Sequence, residues 1–306
     1  MPFMQLSRRG FTAGLFGAGL TAGAASVVGA ADAKAGSIRI TALSDGHFDL
    51  PPAAFSDQEP GSPAAVEALS ALGTSVRAGA NVWLLETPTR RILVDAGSGP
   101  TLQAKYPYTG QLPQALVATG VDPDSITDII ITHMHADHIG GLMRDDRRVF
   151  PSARLHIAER EWAYWTAPDR PSQVAPALKP LSQLIQAIVG TLTYEKTLHA
   201  GETDLVEGIW LVPAPGHTPG HLAVRIDDDG QQVLLLGDAL ISDAIQFAHP
   251  EVRYVLDSDP EGAAATRHAL FDMIAADGIA FTATHLNSQA LIGLSREGDG
   301  YRPHLV

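Results

Sequence analysis

The chain has 306 residues, 45% of them hydrophobic and only 18% charged, with a formal net charge of −13 and no cysteine. Such a length and apolar content suit one large α/β domain or two small ones, and they exclude a disordered or coiled-coil chain. The acidic balance argues against a nucleic-acid partner, and the missing thiols exclude disulfides, thiolate metal ligands and a cysteine nucleophile together.

At the N-terminus, Ser7-Arg8-Arg9-Gly10-Phe11 precedes a weakly hydrophobic stretch rich in Gly and Ala that ends in small residues at Ala31-Asp32-Ala33. Residues 1–35 resemble a twin-arginine export signal, which implies a periplasmic or secreted protein. Five glycines between Gly10 and Gly23 make this stretch a poor helix and a poor bilayer span, so no stable membrane insertion is expected after its removal. Residues 36–306 are expected to form a single domain.

Along that domain, residues 37–43 alternate and carry Ile38 and Ile40, which predicts a strand, and Asp45-Gly46 reads as a turn. Prolines at 51, 52, 60 and 63 mark an irregular loop before a short helix over 64–72. Residues 81–86 and 91–95 predict a hairpin around Thr87-Pro88-Thr89-Arg90, and residues 95–100 a flexible loop. A helix is expected over 112–119 with Gly120 just past its end. Further strands are expected over 128–132, 154–158, 209–214, 222–226, 233–236 and 280–283, and helices over 159–166, 176–188 and 262–276. Strands in runs, in two halves with helices between them, indicate two packed sheets rather than one doubly wound sheet.

The most informative stretch is Thr132-His133-Met134-His135-Ala136-Asp137-His138, at the end of the apolar run Ile129-Ile130-Ile131. Imidazole and carboxylate are the ligand types of zinc and similar metals. His217, Asp238 and His285 stand at the same address, just after an expected strand. If those strands share an edge, all seven side chains converge there.

Taken together, Thr-His-Met-His-Ala-Asp-His, the Gly-His-Thr-Pro-Gly-His that contains His217 and His221, Leu236-Gly237-Asp238 and Thr284-His285 resemble the ordered motifs of the metallo-β-lactamase superfamily. Residues 40–46, Gln246-Phe247, residues 256–259 and Gly300-Tyr301-Arg302 are similar to its methyl parathion hydrolase-like branch. The resemblance implies an α/β fold, an αββα sandwich of two packed mixed sheets with helices outside. It also implies two divalent metal ions, zinc above manganese, iron or cobalt. His133, His135 and His217 would hold one, Asp137, His138 and His285 the other, and Asp238 would bridge them. His221 would support the site without binding metal.

The implied reaction is hydrolysis by a water shared between the metals and activated to hydroxide, with Asp137 or Asp238 orienting it or taking its proton. The expected substrate is a small hydrophobic ester, in first place a phosphotriester or aryl ester. Trp162, Trp165, Tyr106, Tyr108 and Phe247 are candidates for an aromatic wall. A lactonase is the alternative, acting on aryl or acyl-homoserine lactones. Acyl-homoserine lactonases of the superfamily typically carry Tyr three residues after the bridging carboxylate, where this chain has Ile241. A metal-binding protein without catalysis is a remote third reading, and the family resemblance suggests a homodimer.

Overall fold

A computed structural model describes residues 32–56, 62–206 and 208–306. The arginine pair and nearly all of the export-signal segment lie outside the described residues. The first strand begins inside that segment, however: Asp32–Ala35 pairs antiparallel with Ile38–Leu50. Among the described residues, no helix is long and apolar enough to cross a membrane.

Two seven-stranded sheets form the centre of the molecule. The first runs from edge to edge through Asp32–Ala35, Ile38–Leu50, Val76–Glu86, Arg91–Val94, Asp128–Ile131, Arg154–Ala158 and Lys196–His199. The second runs through Thr203–Val206, Ile209–Pro213, Leu222–Asp228, Gln231–Leu235, Ala280–Thr282, Ile292–Glu297 and Gly300–Leu305. Both are mixed: Arg91–Val94, Asp128–Ile131, Arg154–Ala158 and Lys196–His199 pair in parallel, as do Gln231–Leu235 and Ala280–Thr282, and the other neighbours are antiparallel.

Side-chain alternation sorts the core into layers. Ile130 points between the sheets, where it joins Ile40, Trp83, Val94, Leu211, Val224 and Leu235. Ile129 and Ile131 point the other way, onto Leu112 and Leu116 of the helix Leu112–Thr119 and Ile185 of the helix Lys179–Thr191. On the far side, Leu234 and Phe281 meet Phe271 and Ile274 of the helix Pro260–Asp277. The order is helix, sheet, sheet, helix, so the continuous apolar run at 129–131 is buried on both faces. The helix Pro260–Asp277 has clear start and stop signals. Asp259 accepts from the Gly262 N–H at 3.0 Å, Pro260 opens the first turn, and Gly278 ends it at φ +67°.

Two expectations change, and two edge strands were not foreseen. Asp45-Gly46 does not end a strand but lies within Ile38–Leu50, where the register with Val76–Glu86 shifts between Ser44 and His47. Gly46 sits at φ +106°, and a Cβ there would lie 1.8 Å from the Tyr108 carbonyl oxygen. The Asp45 carboxylate accepts from the backbone N–H groups of Ser98, Gly110 and Leu112. The Asp-Gly pair therefore makes a bulge. Residues 95–100 are clamped rather than loose, since a Cβ on Gly99 would lie 2.1 Å from the Gly140 carbonyl oxygen. The edge strands Lys196–His199 and Thr203–Val206 are half-exposed and polar, which leaves little hydrophobic pattern to predict them from.

Polar groups inside the first sheet also contribute to stability. Asp128 accepts from Arg90 at 2.9 Å and pairs with His156 at 2.9 Å. Burial pushes its pKa up, but the hydrogen bonds from His156, Arg90 and Thr127 and the charge of Arg90 outweigh it and hold the carboxyl well below the usual range. A depressed carboxyl contributes stability above its unfolded pKa of about 4 and loses it as pH falls through the lower folded value. Asp128→Asn should therefore flatten the fall in Tm below about pH 4. The same acid slope in both proteins, followed by calorimetry, would refute this.

Candidate active site

Four chain segments meet at one edge of the paired sheets. Thr132 ends its strand with its N–H and Oγ1 both donating to Asp95, at 2.8 Å each. His138 Nδ1 donates to the same carboxylate at 2.8 Å. Asp95 adopts φ +66°, an uncommon conformation that a short polar side chain tolerates. One buried carboxylate thus sets both ends of the histidine loop.

The other imidazoles are held in the same way. His217 Nδ1 donates to Asp257 Oδ1 at 2.9 Å, and His285 Nδ1 donates to the Gly79 carbonyl at 2.7 Å. A neutral imidazole that donates from Nδ1 carries its lone pair on Nε2. In His138, His217 and His285 that Nε2 faces inward, towards Asp238. The distances to Asp238 are 3.4 Å for His138, 3.3 Å for His217 and 3.0 Å for His285, and His133 Nε2 lies 3.6 Å away. His135 presents Nδ1 instead, 3.0 Å from His217 Nε2.

Donor atoms fall into two groups, each with one atom per residue lying within 4.8 Å of the others. One group is His133, His135, His217 and Asp238, and the other is Asp137, His138 and His285. Asp238 lies between them, with Oδ1 towards His138 and Oδ2 towards His285 as well as His217 and His133. Three buried atoms at this centre lack any hydrogen-bond partner among the described residues: Nε2 of His133, Nε2 of His138 and Oδ1 of Asp238. A buried polar atom left unsatisfied costs about 1–3 kcal/mol. All three atoms are lone-pair donors in these groups, so the residues fit a pair of divalent cations.

Electrostatics point the same way. Burial and the neighbouring imidazoles hold His133 and His135 well below the usual histidine pKa. Burial would raise Asp238, but the charges of His285, His138 and His133 outweigh it and keep the carboxyl ionised. Burial also works against Asp137, yet His138 and His285 bring it down to about 2. The centre therefore offers ionised carboxylates and, in His133 and His135, imidazoles that favour their neutral form, whereas at His138 and His285 the neighbouring carboxylates, Asp238 foremost, outweigh burial and raise the pKa.

His221 does not face the donor groups. Its Nδ1 donates to the Ala214 carbonyl at 3.0 Å, and its Nε2 accepts from the Asp238 N–H at 2.9 Å. Burial lowers its pKa to about 3, which keeps the acceptor lone pair free at neutral pH. Gly237 makes room for this contact, because a Cβ there would lie 2.7 Å from His221 Nε2.

A cavity of about 390 Å³ opens onto Asp137, Asp238, His135 and His285. Its walls include Phe48, Tyr106, Leu181, Leu184, Tyr254 and Leu256. Of the expected aromatic wall only Tyr106 lines it. Trp165 is buried behind the site, donates from Nε1 to Glu161 at 2.7 Å and lies edge-on to His135. Trp162 packs against the outer core beneath the Lys196 ammonium. Phe247 is packed among Phe271 and Phe281 on the far side of the second sheet. Tyr108 is exposed and stacks on His47. These four are corrections: their rings pack in the core or on the surface rather than along the cavity.

Tyr254 was missed, and it lines the cavity while stacking on His217. Asp95, Asp257 and Glu161 were missed as supports of the site. Only Asp257 had a signal, in the motif over 256–259.

A family model described as the metallo-beta-lactamase superfamily matches residues 76–278. A probable metallo-hydrolase of Mycobacterium tuberculosis is 26% identical over 228 residues, covering 63% of this chain and 66% of the relative. An N-acyl homoserine lactonase of Bacillus thuringiensis is 27% identical over 177 residues, covering 52% of this chain and 63% of the relative. The chain thus matches slightly less than two thirds of each relative's length. Among solved structures, a hydrolase in the beta lactamase superfamily, AbOPH, aligns with a TM-score of 0.82 at 24% identity, over 92% of this chain and 99% of its own. AidC, a dizinc quorum-quenching lactonase in complex with a product, aligns with a TM-score of 0.80 at 24% identity, over 91% of this chain and 97% of its own.

Proposed function

This chain belongs to the metallo-β-lactamase superfamily, and we propose that it is a two-metal hydrolase of neutral, hydrophobic esters whose best-fitting substrate is a lactone with an aliphatic acyl chain. The observation that carries the substrate class is the cavity wall. Four of the five rings expected to form an aryl pocket point elsewhere, and beside Phe48, Tyr106 and Tyr254 the leucines Leu50, Leu102, Leu181, Leu184 and Leu256 contribute aliphatic surface. Such a wall suits a flexible acyl chain, and similarity to the Bacillus thuringiensis lactonase supports the same class. Ile241, where related lactonases carry Tyr, does not remove a phenol from the cavity, because Tyr254 enters it from another segment.

His133, His135, His217 and Asp238 would hold one cation and Asp137, His138 and His285 the second, with zinc the best match to this donor set. When bound, the pair supplies Lewis acidity and an activated water. The chain's own residues do the rest. Asp238 would keep two cations close together, Asp137 is an ionised acceptor on the cavity lining, and the leucines would exclude water from the acyl chain.

The test is a comparison of kcat/KM, with zinc, for an aryl phosphotriester, an aryl lactone and acyl-homoserine lactones of increasing chain length. Each buried methylene contributes about 0.8 kcal/mol, which at 1.36 kcal/mol per decade is about fourfold. Lactone kcat/KM should therefore climb by up to about fourfold per added methylene until the cavity is filled. A phosphotriester preference of about a hundredfold, some 2.7 kcal/mol, would overturn the lactone assignment in favour of the phosphotriester.

A further inference from the structure

Glu161 is fully buried on the helix Glu159–Thr166 and belongs neither to the cavity lining nor to either donor group. Its Oε1 accepts from the Met134 N–H at 2.9 Å and from Trp165 Nε1 at 2.7 Å. Its Oε2 accepts from Thr218 Oγ1 at 2.7 Å and from the Gly220 N–H at 3.0 Å. Met134 lies between His133 and His135, and Thr218 follows His217. One carboxylate therefore joins the two loops that carry all three imidazoles of the first donor group.

The second group has supports of its own beyond Glu161, although Asp95 also anchors Thr132 beside His133. Asp95 holds His138, while Gly79 and Asn81 hold the segment of His285, with Asn81 Nδ2 donating to the carbonyls of Thr284 and Leu286. We propose that Glu161 is a positioning residue that sets the spacing of His133, His135 and His217 and so governs the affinity of one of the two metals selectively. This rests on the two-metal reading of the site and is independent of the substrate.

The contact is specific to a carboxylate. Three of the four neighbours are N–H groups that can only donate, two on Oε1 and one on Oε2, and the fourth, the Thr218 hydroxyl, donates to an ionised Oε2. An amide with its NH₂ at the Oε1 position would face two N–H donors and lose both bonds, and turned the other way it would lose the Gly220 bond and keep Thr218 only with the hydroxyl reversed to accept. Gly220 belongs to the same device, since a Cβ there would lie 2.2 Å from the Glu161 backbone nitrogen. Without the clamp, the His133–His135 loop and the His217 loop must be brought together by the cation itself, which lowers its affinity.

The experiment is Glu161→Gln, with chelator competition for metal content and the absorption spectrum of the cobalt-loaded protein as readouts. Groups that orient metal ligands typically contribute 10–100-fold in metal affinity. Affinity for one cation should fall by about that factor while the other changes by less than about threefold. The residual cobalt spectrum should match that of His217→Ala and differ from that of His285→Ala. A lower Tm of the metal-free protein with both metal affinities unchanged would overturn the proposal and make Glu161 purely structural, as would equal loss of both metals. If Glu161→Gln does not fold, Thr218→Val removes one donor and leaves the carboxylate seated. It should weaken the same cation, and unchanged affinity there counts against the proposal equally. Wild-type protein that binds fewer than two metals would instead refute the two-metal reading on which the proposal rests.

Discussion

Asp238→Asn will lower kcat/KM by about a thousandfold while leaving the protein folded. A metal pair contributes several kcal/mol of transition-state stabilisation, and at 1.36 kcal/mol per decade a loss of about 4 kcal/mol is about three decades. The geometry shows why this residue should dominate. Its Oδ2 lies 3.0 Å from His285, 3.3 Å from His217 and 3.6 Å from His133, and its Oδ1 lies 3.4 Å from His138. Among the described residues, no other side chain faces members of both donor groups so closely. Asparagine keeps the shape and the backbone N–H that donates to His221. It replaces one acceptor by an NH₂ and removes the negative charge that would hold two cations together. The variant should bind at most one metal tightly and retain its far-ultraviolet circular dichroism. Two metals per chain together with activity within tenfold of wild type would disprove the bridging role.

Residues that share a local address were legible in the sequence; those that act across the fold were not. The histidine loop announced itself because four potential ligands follow one apolar strand. His217, Asp238 and His285 could be added because each also follows a strand. Asp95 and Glu161 are single carboxylates in ordinary surroundings, and Asp257 stands in the motif over 256–259 with nothing local to show that it holds His217. Glu161 becomes informative only when folding brings Met134 and Thr218 to it from 27 and 57 residues away.

The misplaced aromatic wall has a related cause. On the short helix Glu159–Thr166, Glu161 and Trp165 are four residues apart and share the buried face. A sequence shows that the two side chains fall together, but not whether that face looks into a cavity or into the core. The layers themselves were easier to read, because a run such as Ile129-Ile130-Ile131 needs apolar partners on both sides. The polar edge strands carry no such requirement.

The largest effect on stability is expected from Arg267→Met. Arg267 is fully buried on the helix Pro260–Asp277, and its hydrogen bonds go to main-chain carbonyls. Nε donates to Ala239 at 2.8 Å, and Nη1 donates to Pro250 at 2.5 Å and Val252 at 2.9 Å. Burial lowers its pKa to about 10, so the group stays charged at neutral pH. These carbonyls belong to the segment after Asp238, which has no helix or strand between Leu240 and Val252 to satisfy its backbone. Gln246 assists by accepting from Ile241 and Ser242 and donating to Val252. Methionine would fill the stem but take the donors from Ala239 and Pro250. Each lost partner costs about 1–3 kcal/mol, offset in part because a charge no longer has to be buried. A net loss of about 2–4 kcal/mol should lower Tm by about 5–15 °C in a domain of this size. Activity should fall as well, since Ala239 is the neighbour of Asp238, whereas Lys at this position, with fewer donors, should lie between. A Tm within about 1 °C of wild type, less than about 0.5 kcal/mol, would mean that the guanidinium does not hold this segment and that Gln246 suffices.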